Sequence, residues 1–327
     1  MSTTPRPKPQ PSPWQHRFRY FSISFFAIIM GFTGWSISWK VSALSISDHI
    51  AMVLGTISSV MMLVMTLLYC IKLRYFPEEV FAELRHPVKL NFFPAFSISL
   101  LLLSVIWNQY PSLSANLWVM GTVTQLGLTL YIVSSWINHS HYCLLHANPS
   151  WFIPVVGNMF VPISGNSLGY IELGWFFFSI GLLFWLSLLT IILHRLFFHE
   201  SLSEQLMPML FIFLTPPSIA FVAYTSLIDG LDTFARILFY VALFFGLLLF
   251  VNIYRLIHLP FFMSSWAYAF PLAAFTIASS KMAHLSHSQG LAALAFGLLI
   301  ALSLLLFALV LRTLKAIVNR ELCQPEP

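Results

Sequence analysis

The sequence has 327 residues, of which 58% are hydrophobic and 8% charged, with net charge +5. Soluble domains carry roughly 25% charged residues, so 16 Lys and Arg with 11 Asp and Glu cannot cover a water-facing surface of this size. A soluble enzyme, a nucleic-acid binder and a disordered scaffold are thereby excluded, and the chain reads as an integral membrane protein.

Taken in chain order, residues 1–19 open with MSTTPRPKPQPSPWQ, where proline alternates with polar and basic residues. This reads as a flexible cytoplasmic tail rather than a cleavable signal peptide. Ten stretches of about 20 apolar residues, the length of a helix crossing a bilayer, follow: Phe21–Trp39, His49–Ile71, Leu90–Trp107, Ala115–Ile137, Trp151–Tyr170, Leu173–Leu193, Leu206–Leu227, Ile237–Tyr254, Leu259–Ser280 and Leu291–Leu311. The fifth is the weakest, since Asn158, Asn166 and three glycines interrupt it; it reads as a full span, with a re-entrant segment as the alternative. None of the ten alternates polar with apolar residues as barrel strands do. The expected fold is an all-α membrane protein with a ten-helix domain over 20–315 and a second cytoplasmic tail at 316–327.

All 27 Asp, Glu, Lys and Arg lie outside these windows. With an internal N-terminus, 13 bases fall on the cytoplasmic side and three, Lys40, Arg236 and Lys281, on the other, so the positive-inside rule places both termini in the cytoplasm. Three cysteines, Cys70, Cys143 and Cys323, are too scattered for a disulfide framework.

Eight prolines fall inside the windows, every one in an odd-numbered span: Pro94, Pro154, Pro162, Pro208, Pro216, Pro217, Pro260 and Pro271. The first span carries Gly31 and Gly34 instead. From Gly34 through Pro94, Pro154 and Pro216 to Pro271 the intervals are 60, 60, 62 and 55 residues, the length of two helices and a turn, so the chain reads as five helical hairpins. A proline within a helix frees a carbonyl and tilts the axis. Lipid does not tolerate that, so kinked helices belong against protein or a wet cavity. The odd helices are therefore expected to form an inner ring around a central pore, with the even ones facing lipid.

The spans hold no formal charge and a single histidine, His49, at an edge. Carriers and pumps that relay protons place ionisable groups in the membrane, so neither a carboxylate relay nor an acidic cation filter is expected. What remains is hydroxyls (Ser97, Ser99, Ser264, Ser265, Thr276), amides and freed carbonyls, equipment for light binding of a monovalent anion. Phe270, immediately before Pro271, is a candidate plug, because a bulky ring at a kink closes a pore by occupancy and dewetting. Ordinary packing is the competing reading of a ring type that occurs 32 times.

Four motifs stand in order along the spans: YCIKLRYFPEEVFAELRHPVKLNFF from Tyr69 to Phe93, NPSWFIPVVGNMFVPISG from Asn148 to Gly165, TPPSIAFVAY from Thr215 to Tyr224, and WAYAFP from Trp266 to Pro271. Together they resemble the tellurite-resistance/dicarboxylate transporter family, which includes bacterial TehA and the plant guard-cell slow anion channels, from about Ser22 to Leu314. The resemblance implies a homotrimer in the plasma membrane (the inner membrane of a bacterium), with one pore per protomer within five hairpins. It further implies that a ninth-helix phenylalanine, by motif Phe270, occludes that pore. Phe26, Phe92 or Phe93, and Phe160 fall near the family's other inner aromatics, and Pro271 matches the plant-type motif where TehA-type sequences have glycine. The function so implied is a gated channel for small monovalent anions such as chloride or nitrate, with a secondary carrier for dicarboxylate, sulfite or tellurite-type solutes as the alternative.

Other features are weaker. His139, His141, Cys143 and His146 could in principle hold Zn or Cu(I) and make a metal-responsive sensor, but their crowding favours a polar loop. Glu78, Glu79 and Glu83 beside Arg74, Arg85 and Lys89 read as an interfacial helix with i,i+4 pairing. Asp232 and Arg236 read as a helix start with an i+4 partner. No nucleophile, base and orienting group come together within the spans, so neither an enzyme nor a cofactor is expected.

Overall fold

The computed structural model describes residues 18–42, 44–138, 142–200, 202–319 and 321–322. They form helices joined by turns and short irregular stretches, with no strand among the described residues. The helices are α1 (Phe26–Lys40), α2 (Ser47–Tyr75), α3 (Pro77–Arg85), α4 (Pro94–Ile106), α5 (Pro111–Asn138), α6 (Phe152–Val156), α7 (Val161–Gly165), α8 (Ile171–Phe198), α9 (Thr215–Leu227), α10 (Thr233–Val251), α11 (Ile253–Ile257), α12 (Ala269–Ser286) and α13 (Gln289–Val318). Among the described residues, seven continuous stretches are long and apolar enough to cross a membrane: α2, α5, α8, α10 and α13, together with Lys89–Ile106 and Met207–Leu227, which join a 3-10 run to α4 and to α9.

The three other sequence windows are built differently. The first is the 15-residue α1 behind a 3-10 turn at Ile23–Phe25, and the ninth is α12 behind a 3-10 run at Met263–Tyr268. The fifth is no continuous helix: it passes through α6, a 3-10 turn at Gly157–Phe160 and α7. Pro154 and Pro162 each lack an amide donor, and helical geometry restarts at Pro162 after the 3-10 turn instead of running through it.

Burial separates the elements into two layers. Lys89–Ile106 and Met207–Leu227 are 78% buried, whereas α2, α5, α8, α10 and α13 are only 28–33% buried and expose large apolar side chains such as Leu63, Val123, Leu183, Phe244 and Leu304. Each of these outer helices packs on an inner segment: α2 on α1, α5 on α4, α8 on α6 and α7, α10 on α9, and α13 on α12. The inner segments also pack in sequence, α1 on α4, α4 on the broken fifth segment, that segment on α9 and α9 on α12, and α12 returns to α1 to close the ring.

Local sequence explains the joints. Pro94, Pro162, Pro216 and Pro217 each stand in the first turn of an α-helix, where the absent amide costs nothing. They mark the places where 3-10 hands over to α, instead of kinking a continuous helix. Gly31 and Gly34 lie in the unbroken α1 and do another job: a Cβ on Gly31 would sit 2.9 Å from the Ala269 Cβ, and one on Gly34 2.7 Å from the Ala273 Cβ. These small residues let α1 and α12 approach backbone to backbone.

The carbonyl of Pro154 shows how the broken segment is satisfied. It accepts hydrogen bonds from Gln125 Nε2 at 2.8 Å, Thr129 Oγ1 at 2.9 Å and Asn158 Nδ2 at 3.3 Å, while Gln125 Oε1 accepts from Ser97 Oγ at 2.7 Å. A Cβ on Gly157 would collide with the Gln125 amide. Gln125→Leu is expected to lower stability by about 1–3 kcal/mol, the cost of stranding buried polar groups, read as a lower Tm in detergent. An unchanged Tm would mean that Thr129 and Asn158 suffice.

The acidic run is used over longer range than i,i+4. Glu79 accepts from Arg19 Nε at 2.6 Å, which holds the Arg19 guanidinium above its ordinary pKa. Glu83 turns inward to Lys72. Asp232 caps α10: Oδ1 accepts from the Ala235 amide at 2.8 Å and Oδ2 from the Tyr224 hydroxyl at 2.6 Å. Those two donors, the amide foremost, hold its carboxyl below the usual range.

Candidate functional site

One cavity of about 40 Å³ lies where the inner segments meet. All five contribute to its wall: Ala27 and Met30 from the first, Phe92 and Ile98 from the third, Phe152 to Phe160 from the fifth, Ile212 and Thr215 from the seventh, and Trp266 to Pro271 from the ninth. Its wall includes residues at the ends of three 3-10 runs, Phe92, Phe160 and, next after Leu214, Thr215. The volume exceeds the ~10–15 Å³ needed to seat one water-sized particle, and its wall is almost wholly apolar.

Phe270 stands on this wall and is 4% exposed. Its ring centroid is 5.5 Å from that of Phe160. On its other side it covers Gly34, where a Cβ would come within 3.1 Å of Phe270 Cδ2. The ring thus touches the fifth segment through Phe160 and the first through Gly34, where the missing side chain leaves it room.

Among the residues singled out in the sequence, Phe92, Phe160, Phe270 and Pro271 meet on this cavity. Phe26 is buried behind it, edge-on to Phe96 at 5.5 Å and to Tyr69 at 6.1 Å. Phe93 lies half-buried, edge-on to Tyr69 at 6.3 Å. Gly31 and Gly34 serve the α1–α12 contact, and Pro94, Pro154, Pro162 and Pro216 stand at the joints or within the broken segment rather than on the cavity wall.

Sequence reasoning missed Met30, Phe152, Thr215 and Trp266 on the wall. Thr215 carried a signal, standing immediately before the Pro216–Pro217 pair. Trp266 is fixed by its indole N–H, which donates to Thr313 Oγ1 at 3.0 Å, and by stacking on Phe32 at 6.0 Å. The hydroxyls singled out earlier are spent on the protein itself. Ser99 Oγ donates to the Ala95 carbonyl at 2.7 Å and Thr276 Oγ1 to that of Leu272 at 2.8 Å, Ser97 reaches Gln125, Ser264 donates to the Gln205 carbonyl, and Ser265 Oγ accepts from the Phe262 amide at 3.2 Å.

Of the four loop residues weighed as metal ligands, His139 and His141 lie outside the described residues. His146 Nδ1 accepts from the Cys143 amide at 3.4 Å. Among the described residues no three His, Cys, Asp or Glu side chains converge on a point.

The chain is similar to known proteins over most of its length. The family model SLAC1, voltage-dependent anion channel, matches residues 20–314. The S-type anion channel SLAH3 of Arabidopsis thaliana is 31% identical over 322 residues, covering 94% of this chain and 50% of that protein. SLAH2 of the same plant is 30% identical over 273 residues, 80% of this chain and 52% of the relative, so the chain spans about half the length of these plant relatives. A tellurite resistance protein TehA homolog of Haemophilus influenzae is 29% identical over 285 residues, 83% of this chain and 84% of that protein. With residues 20–314 matched by one model, the chain belongs to the SLAC1 family.

Proposed function

We propose that the protein is a gated channel for small monovalent anions such as chloride or nitrate, closed at rest by the Phe270 ring. The observation that carries this reading is the cavity walled by all five inner segments, with Phe270 on its wall beside Phe160. In this reading ten segments cross the membrane as five hairpins, both termini are cytoplasmic, and three copies assemble through their apolar outer faces in the plasma membrane, each with its own pore.

The physical case rests on charge and fit. An apolar wall discriminates against strongly hydrated ions and against any ion that needs a counter-charge, so the ions best served are weakly hydrated monovalent ones that bind lightly and leave. Among the described residues no carboxylate lines the cavity to attract cations, and with both termini cytoplasmic the excess of bases on that side raises the anion concentration at that mouth. Opening is displacement of the ring, and closure is its return into the apolar pocket.

Planar-bilayer recording of the purified protein under a chloride or nitrate gradient tests this reading. Unitary currents reversing at the anion equilibrium potential, indifferent to a pH gradient, are expected. A saturable flux driven by protons and lacking unitary currents would replace the channel with a carrier for dicarboxylate, sulfite or tellurite-type solutes.

A further inference from the structure

The inner segments contain many buried hydroxyls, and most are spent in the same way. Thr33 Oγ1 donates to the Ile29 carbonyl at 2.8 Å, Ser38 Oγ to that of Gly34 at 2.8 Å, and Thr225 Oγ1 to that of Phe221 at 2.7 Å. This bond to the carbonyl four residues back is the ordinary resting place of a hydroxyl within an apolar helix.

Thr215 departs from the pattern. It is 7% exposed, lines the Phe270 cavity, and its hydroxyl has no hydrogen-bond partner among the described residues. Ser218, three residues on and therefore over the same face of α9, is fully buried and its hydroxyl is also unpartnered. For both residues the carbonyl four positions back, Phe211 or Leu214, belongs to the 3-10 run Met207–Leu214, and neither hydroxyl bonds to it. Pro216 and Pro217 between them have no amide hydrogens, so the first turn of α9 lacks two of its usual donors. An unpaired buried hydroxyl is costly, and one on the cavity wall, with a second one turn along the same helix face, calls for a ligand. Among the unpartnered buried hydroxyls of the described residues, which include Thr122, Ser164 and Ser279, Thr215 is the one on the cavity wall.

From this geometry we propose that Thr215 and Ser218 form an anion-binding site beside the gate, a pair of O–H donors one helical turn apart that hand a partly dehydrated monovalent anion past the Phe270 ring. Thr215 supplies the hydrogen bond within the cavity and Ser218 the next. Neutral donors suit the purpose, because a fixed positive charge in an apolar passage would trap the ion. This inference rests on the channel reading and names where within the passage the ion is held.

The test places Thr215→Val, which keeps the shape and removes the donor, in a Phe270→Ala background and measures conductance against chloride concentration. A single hydrogen bond of about 1 kcal/mol corresponds to roughly fivefold in binding, so the half-saturating chloride concentration is expected to rise about fivefold. Thr215→Ser on the same background should keep it unchanged, and Ser218→Ala should shift it in the same direction as the valine. In parallel, chloride or nitrate added in place of gluconate should raise the Tm of the wild-type protein but not that of Thr215→Val, a readout that needs no open pore. If Phe270→Ala conducts anions and Thr215→Val leaves both half-saturation and the anion-dependent Tm unchanged, the site is overturned and the channel reading stands. If Phe270→Ala carries no anion current, the channel reading falls and this inference falls with it.

Discussion

Phe270→Ala is expected to raise anion conductance by about 10- to 100-fold. The ring is 4% exposed, lying against Phe160 and over Gly34. Swinging it out of the passage gives up the burial of one phenylalanine, about 1.5–3 kcal/mol, and each 1.4 kcal/mol removed from a barrier is tenfold in rate. Alanine leaves nothing to swing. It also enlarges a cavity of about 40 Å³ by the volume of a ring, and a wider apolar constriction wets more readily. Phe270→Leu should fall between, because it retains bulk at the same position. The substitution also removes core packing, at a cost of about 3–5 kcal/mol, so conductance is to be recorded on protein shown to be folded by its Tm. A folded Phe270→Ala protein conducting within twofold of the wild type would reduce Phe270 to a packing residue.

The two-layer architecture was legible because burial and proline placement share a cause. Prolines gather where freed carbonyls can be met by protein, and those are the ring segments, so the 60-residue period follows the inner layer. The periodicity could not tell a kink from a start. Pro94, Pro162 and Pro216 remove the same amide in either case, and only the preceding 3-10 run shows that each begins an α-helix. Gly31 and Gly34 were legible as special positions but not as contact positions, because the Ala269 and Ala273 methyls they meet are more than 230 residues away. The hydroxyls show the same limit. Composition counts Ser99, Thr276 and Thr215 alike, whereas the structure spends the first two on backbone carbonyls and leaves the third unpaired on the cavity wall. The fragmentation of the fifth segment was foreshadowed by its asparagines and glycines, yet the partners that make it tolerable, Gln125 and Thr129, come from a neighbouring helix and carry no mark in the sequence.

Lys72→Met is expected to be among the most destabilising single substitutions in the chain, by about 3–5 kcal/mol, the cost of leaving one charge of a buried pair alone. The sequence placed Lys72 just beyond the second apolar window, but α2 continues to Tyr75 and draws the side chain down to 1% exposure. Its ammonium donates to Glu83 Oε1 at 3.0 Å and to the Phe21 carbonyl at 2.8 Å, while Glu83 Oε2 accepts from the Tyr69 hydroxyl at 2.8 Å. Three elements are joined there: α3, the end of α2 and the residues leading into the first inner segment. Tyr69 carries the connection inward, since its ring meets Phe26 and Phe93 edge-on. Removing the ammonium strands the Glu83 carboxylate in a site that excludes water and frees the entry to the inner ring. The loss should read as a Tm lower by about 6–10 °C, at roughly 2 °C per kcal/mol for a chain of this size. Glu83→Gln alone should also destabilise, because it strands the ammonium. The double variant Lys72→Met/Glu83→Gln should recover at least half of the loss, since a neutral pair in a buried site is often as stable as the ions it replaces. Additive single losses, with no recovery in the double variant, would show that the two side chains act separately and that α3 is held by its apolar face alone.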